Sequence, residues 1–437
     1  MNERFVVLGV APARREWFRR VARWANEAAL PVEFVKCISS SEVISRLQSG
    51  QAFSALLADA SASGLDRDVL DLANSVGCAP IIIDHGLVDR DWQSLGARTV
   101  LDERFESGDL LAALEESAVR IGRGDAPQVA ASDQAIGESS ATGKVVAVTG
   151  AGGIGTSTVA MALAQSLVRF GERQRILLAD MALRSSQAMF HDARDVVPGL
   201  LELVEAHRLG VPNAVDARSN VHRIPERGYD LLLGLRHERD WMSVPARALS
   251  ATWSTLTAIY GTTVCDLTGE FDGAEETGSN DIEDRNRIAR MAALQADLVV
   301  VVGSPGSWGI HHLVRTAMSL HQLGVPTSRM MPLVNHAPRQ PRARASITSA
   351  VGDLLASRIS NAEDIANPIF VPTKRGLEAA LREGDPLPSN MANPLGDAVN
   401  ALLGHTEQLE PKELPAPVPE PVAVVPGSLG SWEDADE

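Results

Sequence analysis

Cysteine is scarce, with three in 437 residues. Cys37, Cys78 and Cys265 lie far apart with no paired spacing. That excludes a disulfide framework or a cysteine-rich metal centre and leaves reduced core thiols of a cytosolic protein as the expectation. Aromatic residues make up only 4% of the chain against 45% apolar residues, which suits an Ala/Leu/Val-rich α/β interior. Long hydrophobic runs are missing. None reaches the roughly 18 residues of a membrane span, and Met1-Asn2-Glu3-Arg4 opens no apolar signal core, so any presence at a membrane, pole or septum is expected to come by recruitment. Positive charge is in deficit. A net charge of −16 argues against coating nucleic acid, which needs clustered Lys and Arg, although Arg339–Arg344 forms a local basic stretch that a partner or membrane surface could meet.

The most informative absence is local. Residues 149–158 read Thr-Gly-Ala-Gly-Gly-Ile-Gly-Thr-Ser-Thr, a glycine loop with no lysine. It follows the apolar run Val145–Val148 and precedes a helical pattern from Val159 to Val168. In that context successive backbone N–H groups and a helix N-terminus can cradle a phosphate. An ordinary P-loop adds a lysine that neutralises the outer phosphates. Here Thr156 stands before Ser157, so Gly150, Gly152, Gly153, Ile154, Gly155, Thr156, Ser157 and Thr158 are candidate nucleotide contacts without the usual cation. Simple helix capping by Ser157 or Thr158 is the plainer alternative.

The length implies two domains plus connecting segments. Residues 122–143 are rich in Gly, Ser, Ala and Gln and read as a linker. From 405 the chain turns Pro- and Glu-rich and ends acidic, which reads as a disordered tail. Residues 1–121 alternate strand signals (5–10, 32–37, 55–59, 80–84, 98–101) with amphipathic stretches. Five such strand–helix units imply a parallel sheet covered on both faces. Residues 144–404 add buried strands at 175–180, 262–266, 296–303 and 330–335, separated by helical patterns, which imply a doubly wound sheet. Ligands of such sheets bind at the carboxyl ends of strands, where the glycine loop, Asp180, Asp266 and Asn335 are expected to converge. His311, His312 and His321 lack carboxylate or cysteine partners at metal spacing and read as solvated or capping histidines.

The first region resembles a response-regulator receiver domain, of flavodoxin-like architecture, with Asp59 at the phosphate-accepting position. The acidic pair that would bind Mg²⁺ is absent from Gly9–Ala13, and Asp102-Glu103-Arg104-Phe105 replaces the usual Lys-Pro. Without that charge compensation an aspartyl phosphate is unsupported, so Asp59 is expected to be a strand-end acid in a docking module. The second region resembles the MinD/ParA branch of P-loop ATPases. The order of glycine loop, Leu177-Leu-Ala-Asp180, Cys265-Asp-Leu-Thr-Gly269, Ala296–Val302, Val334-Asn-His336, Pro368–Pro372 and Ala379–Pro388 carries the likeness. Together the two regions resemble the CpaE/TadZ proteins, and most nearly the septum-site-determining, Ssd-type subgroup with a lysine-less loop. The family's two loop lysines fall at Ala151 and Thr156, and its water-positioning acid at Ala182. The resemblance implies Ser157, Asp180 and Asp266 as Mg²⁺-associated positions, Asn335 as a base contact, ATP or ADP with Mg²⁺ as the ligand, and no metal otherwise. It also implies a homodimer with divisome or pilus/secretion partners, and hydrolysis that is slow or absent. An active ATPase with a non-standard loop is the alternative. A short-chain dehydrogenase binding NAD(P) is more remote, because Tyr229 and Tyr260 are followed four residues later by Leu233 and Val264 rather than lysine.

Overall fold

The computed structural model describes residues 4–12, 15–86, 88, 90–121, 143–170, 175–193 and 197–407. The expected linker up to 142 and the expected tail beyond 407 lie outside the described residues.

Strands β1 (Phe5–Val10), β2 (Val32–Cys37), β3 (Ala55–Asp59), β4 (Ala79–Asp84) and β5 (Thr99–Asp102) form a parallel sheet in the order β2-β1-β3-β4-β5. This is the strand order of flavodoxin-like doubly wound folds. Successive residues feed opposite faces, as strand periodicity dictates. Leu8, Leu56 and Ile82 enter one core, while Val7, Leu57 and Ile81 enter the other. The fourth strand–helix unit is a correction to the sequence reading: among the described residues no helix joins β4 to β5. Instead the chain turns, Ala97 N–H donating to the Trp92 carbonyl at 2.9 Å, and buried Trp92 and Leu95 cover the sheet face a helix would have covered. Left-handed glycines at Gly86 and Gly96 (φ 69° and 112°) fit this turn and disfavour a helix.

The second sheet contains β6 (Lys144–Gly150), β7 (Ile176–Asp180), β8 (His222–Ile224), β9 (Tyr229–Leu232), β10 (Thr262–Asp266), β11 (Leu298–Gly303), β12 (Met330–Asn335) and β13 (Ile369–Val371). Their order is β13-β12-β11-β6-β10-β7-β9-β8, parallel throughout except for β8 against β9. The chain leaves β6 for β7 on one side and later crosses to β11 on the other, so β6 sits at the topological switch point where α/β sheets bind ligands. Continuous apolar strands bury both faces: Val146, Val148 and Val300 in one core, Val145, Ala147 and Val301 in the other.

Two domain boundaries shift. Gly143, expected in the linker, is already docked: its N–H donates to the Thr257 carbonyl at 2.7 Å. The last helix, Ser389–Glu407, continues past 404 into the expected tail.

The two regions touch through the helix Arg67–Ser75 of the first sheet, which packs on the helices Leu200–Leu209 and Ala246–Ile259. Each side finishes the other's helix ends. Arg67 donates to the carbonyls of His207 (2.9 Å) and Gly210 (3.3 Å), at the C-terminal end of Leu200–Leu209. Asp68 accepts from the N–H groups of Arg247 (3.4 Å) and Ala248 (3.3 Å), which open a helix whose own N-cap, Pro245, offers no side-chain acceptor. Arg208 pairs with Asp66 at 2.8 Å. Burial in this contact pushes the carboxyl pKa values of Asp68 and Asp71 up, and holds the His207 imidazole down to about 4.

Candidate phosphate-binding site

The glycine loop leaves β6 at Gly150 and enters the helix Thr156–Leu167. Glycine is required in this loop for two different reasons, close approach at Gly150 and a left-handed backbone at Gly153 and Gly155. A Cβ at Gly150 would stand 2.6 Å from the Val302 carbonyl oxygen. Gly155 has φ 86° and is the residue that precedes the helix, with no side-chain cap. The capping alternative for Ser157 and Thr158 is therefore corrected: a left-handed glycine starts this helix. Gly152 and Gly153 are exposed and have nothing within 4 Å of an added Cβ, so the loop presents open backbone at its crest. Ile154 is buried and pins the loop to the core. Thr156, at the expected lysine position, keeps its hydroxyl oxygen buried and without a hydrogen-bond partner. Ala151 is half-buried and packs against the apolar core, so neither expected lysine position presents charge.

Asp180, Asp266 and Asn335 converge on this edge as expected. Asp180 and Asp266 are register partners at the ends of β7 and β10, and both are buried. Their roles differ from the metal-associated expectation. Asp180 spends both oxygens on backbone: Oδ2 accepts from Ser186 N–H (3.0 Å) and Gln187 N–H (2.9 Å), Oδ1 from Ala182 N–H (3.4 Å). It organises the turn 181–187 and is not turned toward the loop. Asp266 accepts from the Gln187 side-chain amide at 2.7 Å, and the same amide nitrogen donates to the Ser157 carbonyl at 3.3 Å. Ser157 Oγ lies 3.0 Å from Ser186 Oγ. Gln187, fully buried, thus bridges the Ser157 carbonyl to Asp266, and its Oε1 finds no partner. Burial pushes the carboxyl pKa values of both Asp180 and Asp266 up; the charge of Asp266 adds to the shift on Asp180, while hydrogen bonds from Ser157 and Gln187 offset part of that on Asp266.

A divalent cation of the kind the family resemblance implies does not fit these residues in this arrangement. Mg²⁺ demands octahedral oxygen ligands and keeps several waters; here Asp266 already accepts from the Gln187 amide, and Asp180 is committed to backbone donors. Ala182 is buried, so no carboxylate faces the loop from that position either. Asn335 lies at the loop, but its amide donates to the Ile154 carbonyl at 2.8 Å. It tethers the glycine loop from β12.

Gln187 is the functional residue that sequence reasoning missed. Its helix, Gln187–Phe190, is one turn long, and nothing in its sequence signals a side chain reaching two strand ends. His191 completes the seat: its Nδ1 lies 2.7 Å from the Gln187 carbonyl and its Nε2 2.7 Å from the Tyr229 hydroxyl. Burial lowers its pKa to about 4, so a neutral ring donates to the carbonyl and accepts from the phenol. Tyr229 and Tyr260 are both buried, and the Tyr260 hydroxyl donates to Asp230 at 3.1 Å, which leaves neither free for proton transfer to a substrate.

In the first region Asp59 is more than a strand terminus. Its Oδ2 accepts from Trp17 Nε1 (2.8 Å) and lies 3.1 Å from Arg15 Nε; its Oδ1 accepts from Ser61 N–H (3.0 Å) and Oγ (2.6 Å). The carboxylate is buried, and Arg15 supplies its compensating charge. Among the described residues no group of histidine, cysteine and carboxylate side chains could hold a metal ion. His312 instead packs at a tilt against Trp308, ring centres 4.2 Å apart.

No family model matches the chain, and no curated protein matches it. Solved structures similar to it include a ParA family ATPase from Chlorobium tepidum, at 16% identity over 60% of this chain and 96% of that one, with a TM-score of 0.42. The septum site-determining protein MinD of Pyrococcus horikoshii, complexed with Mg-ADP, is similar at 16% identity over 61% and 96%, TM-score 0.40. The MinC:MinD cell division protein complex of Aquifex aeolicus is similar at 18% identity over 63% and 99%, TM-score 0.43.

Proposed function

We propose that the chain is a spatial-regulation scaffold of the MinD/CpaE kind that marks a septum or a pilus/secretion site by homodimerisation and partner binding, with ATP hydrolysis weak or absent. The observation that carries this reading is the seat of Gln187 between Ser157 and Asp266, beside a glycine loop whose lysine positions are Ala151 and Thr156. Phosphoryl transfer is catalysed by positioning and by charge placed at the developing anion. Losing one pre-organised stabilising group costs roughly 10²–10³ in rate, and here the loop cations and the carboxylate at Ala182 are all missing. What remains is a cradle able to bind and a fold able to present surfaces. The first region serves as a docking module: its Asp59 is locked by Arg15, Trp17 and Ser61. No helix among the described residues is long and apolar enough to cross a membrane, so placement at the inner membrane face, pole or septum rests on contacts of the folded regions.

The test is phosphate release from ATP with Mg²⁺ by the purified chain, alongside a fluorescent fusion imaged in cells. Turnover at background with a fusion placed at a discrete site supports the scaffold. Steady turnover of about 1 s⁻¹ or faster, in the ordinary enzymatic range, would overturn it in favour of an active ATPase.

A further inference from the structure

Beside the glycine loop lies a set of cations that the fold itself does not use. An open cavity of about 650 Å³ is lined by Arg339, Thr373, Lys374, Arg375, Pro388 and Asn390. Arg339 follows β12, and Lys374 and Arg375 follow β13, so both come from carboxyl ends of strands, on the same edge as the loop. No ion pair with a described carboxylate neutralises any of the three, in a chain whose net charge is −16. Holding three like charges around one cavity costs free energy unless an anion joins them.

The cavity is built in place. Arg344 fixes the Arg339 turn: its Nε donates to the Pro338 carbonyl at 2.7 Å and its guanidinium lies 5.4 Å from the Phe370 ring centre on β13. His336, left-handed at φ 53°, sets Nδ1 3.2 Å from Thr373 Oγ1. Its Nε2 stands 3.9 Å from where a Cβ on Gly155 would lie. One imidazole therefore reaches from Thr373 on the cavity wall to Gly155 of the glycine loop. On the loop side, the Thr156 hydroxyl is buried without a partner and the crest at Gly152 and Gly153 is open.

We propose that this cavity is an oxyanion site and that, with the glycine loop, it holds a soluble ligand carrying several phosphates. Arg339, Lys374 and Arg375 supply the cationic charge that Ala151 and Thr156 do not. The proposal rests on the reading of the loop as a phosphate cradle, but places the charge for binding on β12 and β13 rather than in the loop. Arginine forks and a lysine ammonium both bond phosphate oxygens strongly. A concave site between strand ends suits a small molecule better than a flat surface.

The test is calorimetric titration of the full chain with inorganic tripolyphosphate, and with ATP, in EDTA so that no metal contributes. Three proteins are compared: the unaltered chain, the triple variant Arg339→Ala/Lys374→Ala/Arg375→Ala, and Gly152→Glu, which adds a like charge to the open crest without a clash. Arg339, Arg375 and Gly152 are exposed and Lys374 is half-buried, and circular dichroism checks the folds. The proposal expects saturable binding that weakens at least about tenfold in the triple variant, even with solvent-screened cations, and weakens in Gly152→Glu as well. Binding untouched in the triple variant but lost in Gly152→Glu overturns the cavity while leaving the loop as a cradle. Binding lost in the triple variant alone removes the loop from the site and overturns the shared-ligand proposal. An unaltered chain that binds neither probe, including one that binds only vesicles containing phosphatidylglycerol, overturns it outright.

Discussion

Replacing Gln187 with leucine removes one amide that serves two acceptors, and the size of the effect follows from what each loses. A hydrogen bond to a charged group contributes about 1.5–3 kcal/mol, and the longer bond to the Ser157 carbonyl about 0.5–1.5 kcal/mol. Against this, Gln187 Oε1 is buried without a partner, and removing it returns about 1–3 kcal/mol. The net expectation is a loss of about 1–2 kcal/mol, which for a region of this size lowers Tm by about 2–8 °C. The effect has a pH signature. Burial raises the Asp266 carboxyl pKa in the folded chain, so the folded state keeps a proton that the unfolded state has released; that contribution to stability is present at low pH and lost as pH rises through the folded value. Gln187 supports the charged form, so its removal should hurt at pH 8 and fade toward pH 5. Gln187→Glu should behave the same way with a larger loss at pH 8, since it sets a second carboxylate against Asp266. Differential scanning calorimetry across that range reads both variants. A Tm within about 1 °C of the unaltered chain at pH 8, or an equal drop at pH 5 and pH 8, would refute the assignment of Gln187 as the donor that stabilises Asp266.

Two further outcomes follow from the geometry. Trp17→Phe should cost about 1.5–3 kcal/mol by removing a hydrogen bond to a buried carboxylate oxygen that keeps only Arg15, read by chemical denaturation, while acetyl phosphate with Mg²⁺ should leave no adduct on Asp59 by intact mass in either protein. Asp68→Ala should remove the borrowed cap from the helix Ala246–Ile259, at a cost of about 1 kcal/mol, and raise amide exchange at Arg247 and Ala248; exchange unchanged there would show that the interdomain cap carries no stability.

The strands buried by long apolar runs were legible in the sequence to within a residue or two, because β6, β10 and β12 each carry four or more buried residues between clear breaks. β8, β9 and β13 were not, since three or four residues hold too little periodicity to separate strand from loop. The convergence of Asp180, Asp266 and Asn335 followed from strand ends alone. What each side chain bonds did not: Asp180 turns to backbone because the turn 181–187 needs an acceptor, and Asn335 turns to Ile154 because the glycine loop exposes a carbonyl there. The seat of Gln187 and the Arg15–Trp17–Asp59 network depend on contacts between elements far apart in sequence, so no local pattern announces them. The chain's basic stretch at Arg339–Arg344 was visible, but its division was not: Arg344 is a structural anchor and Arg339 faces the cavity.

The exchange of helix ends between Arg67–Ser75 and its two partners sets an order of events during synthesis. The first sheet is complete by Asp102, whereas the carbonyls that receive Arg67 and the amides that receive Asp68 arrive only at 207–210 and 247–248. Regions emerging first fold first, so the nascent first region waits with Asp68 and Asp71 hydrated and ionised. When the later helices arrive those acids are dried, and burial then raises the Asp68 and Asp71 carboxyls. Docking is therefore the step in which the young chain gives up water around fixed charge, and slightly acidic surroundings ease it by letting the carboxyls take up protons as they are enclosed.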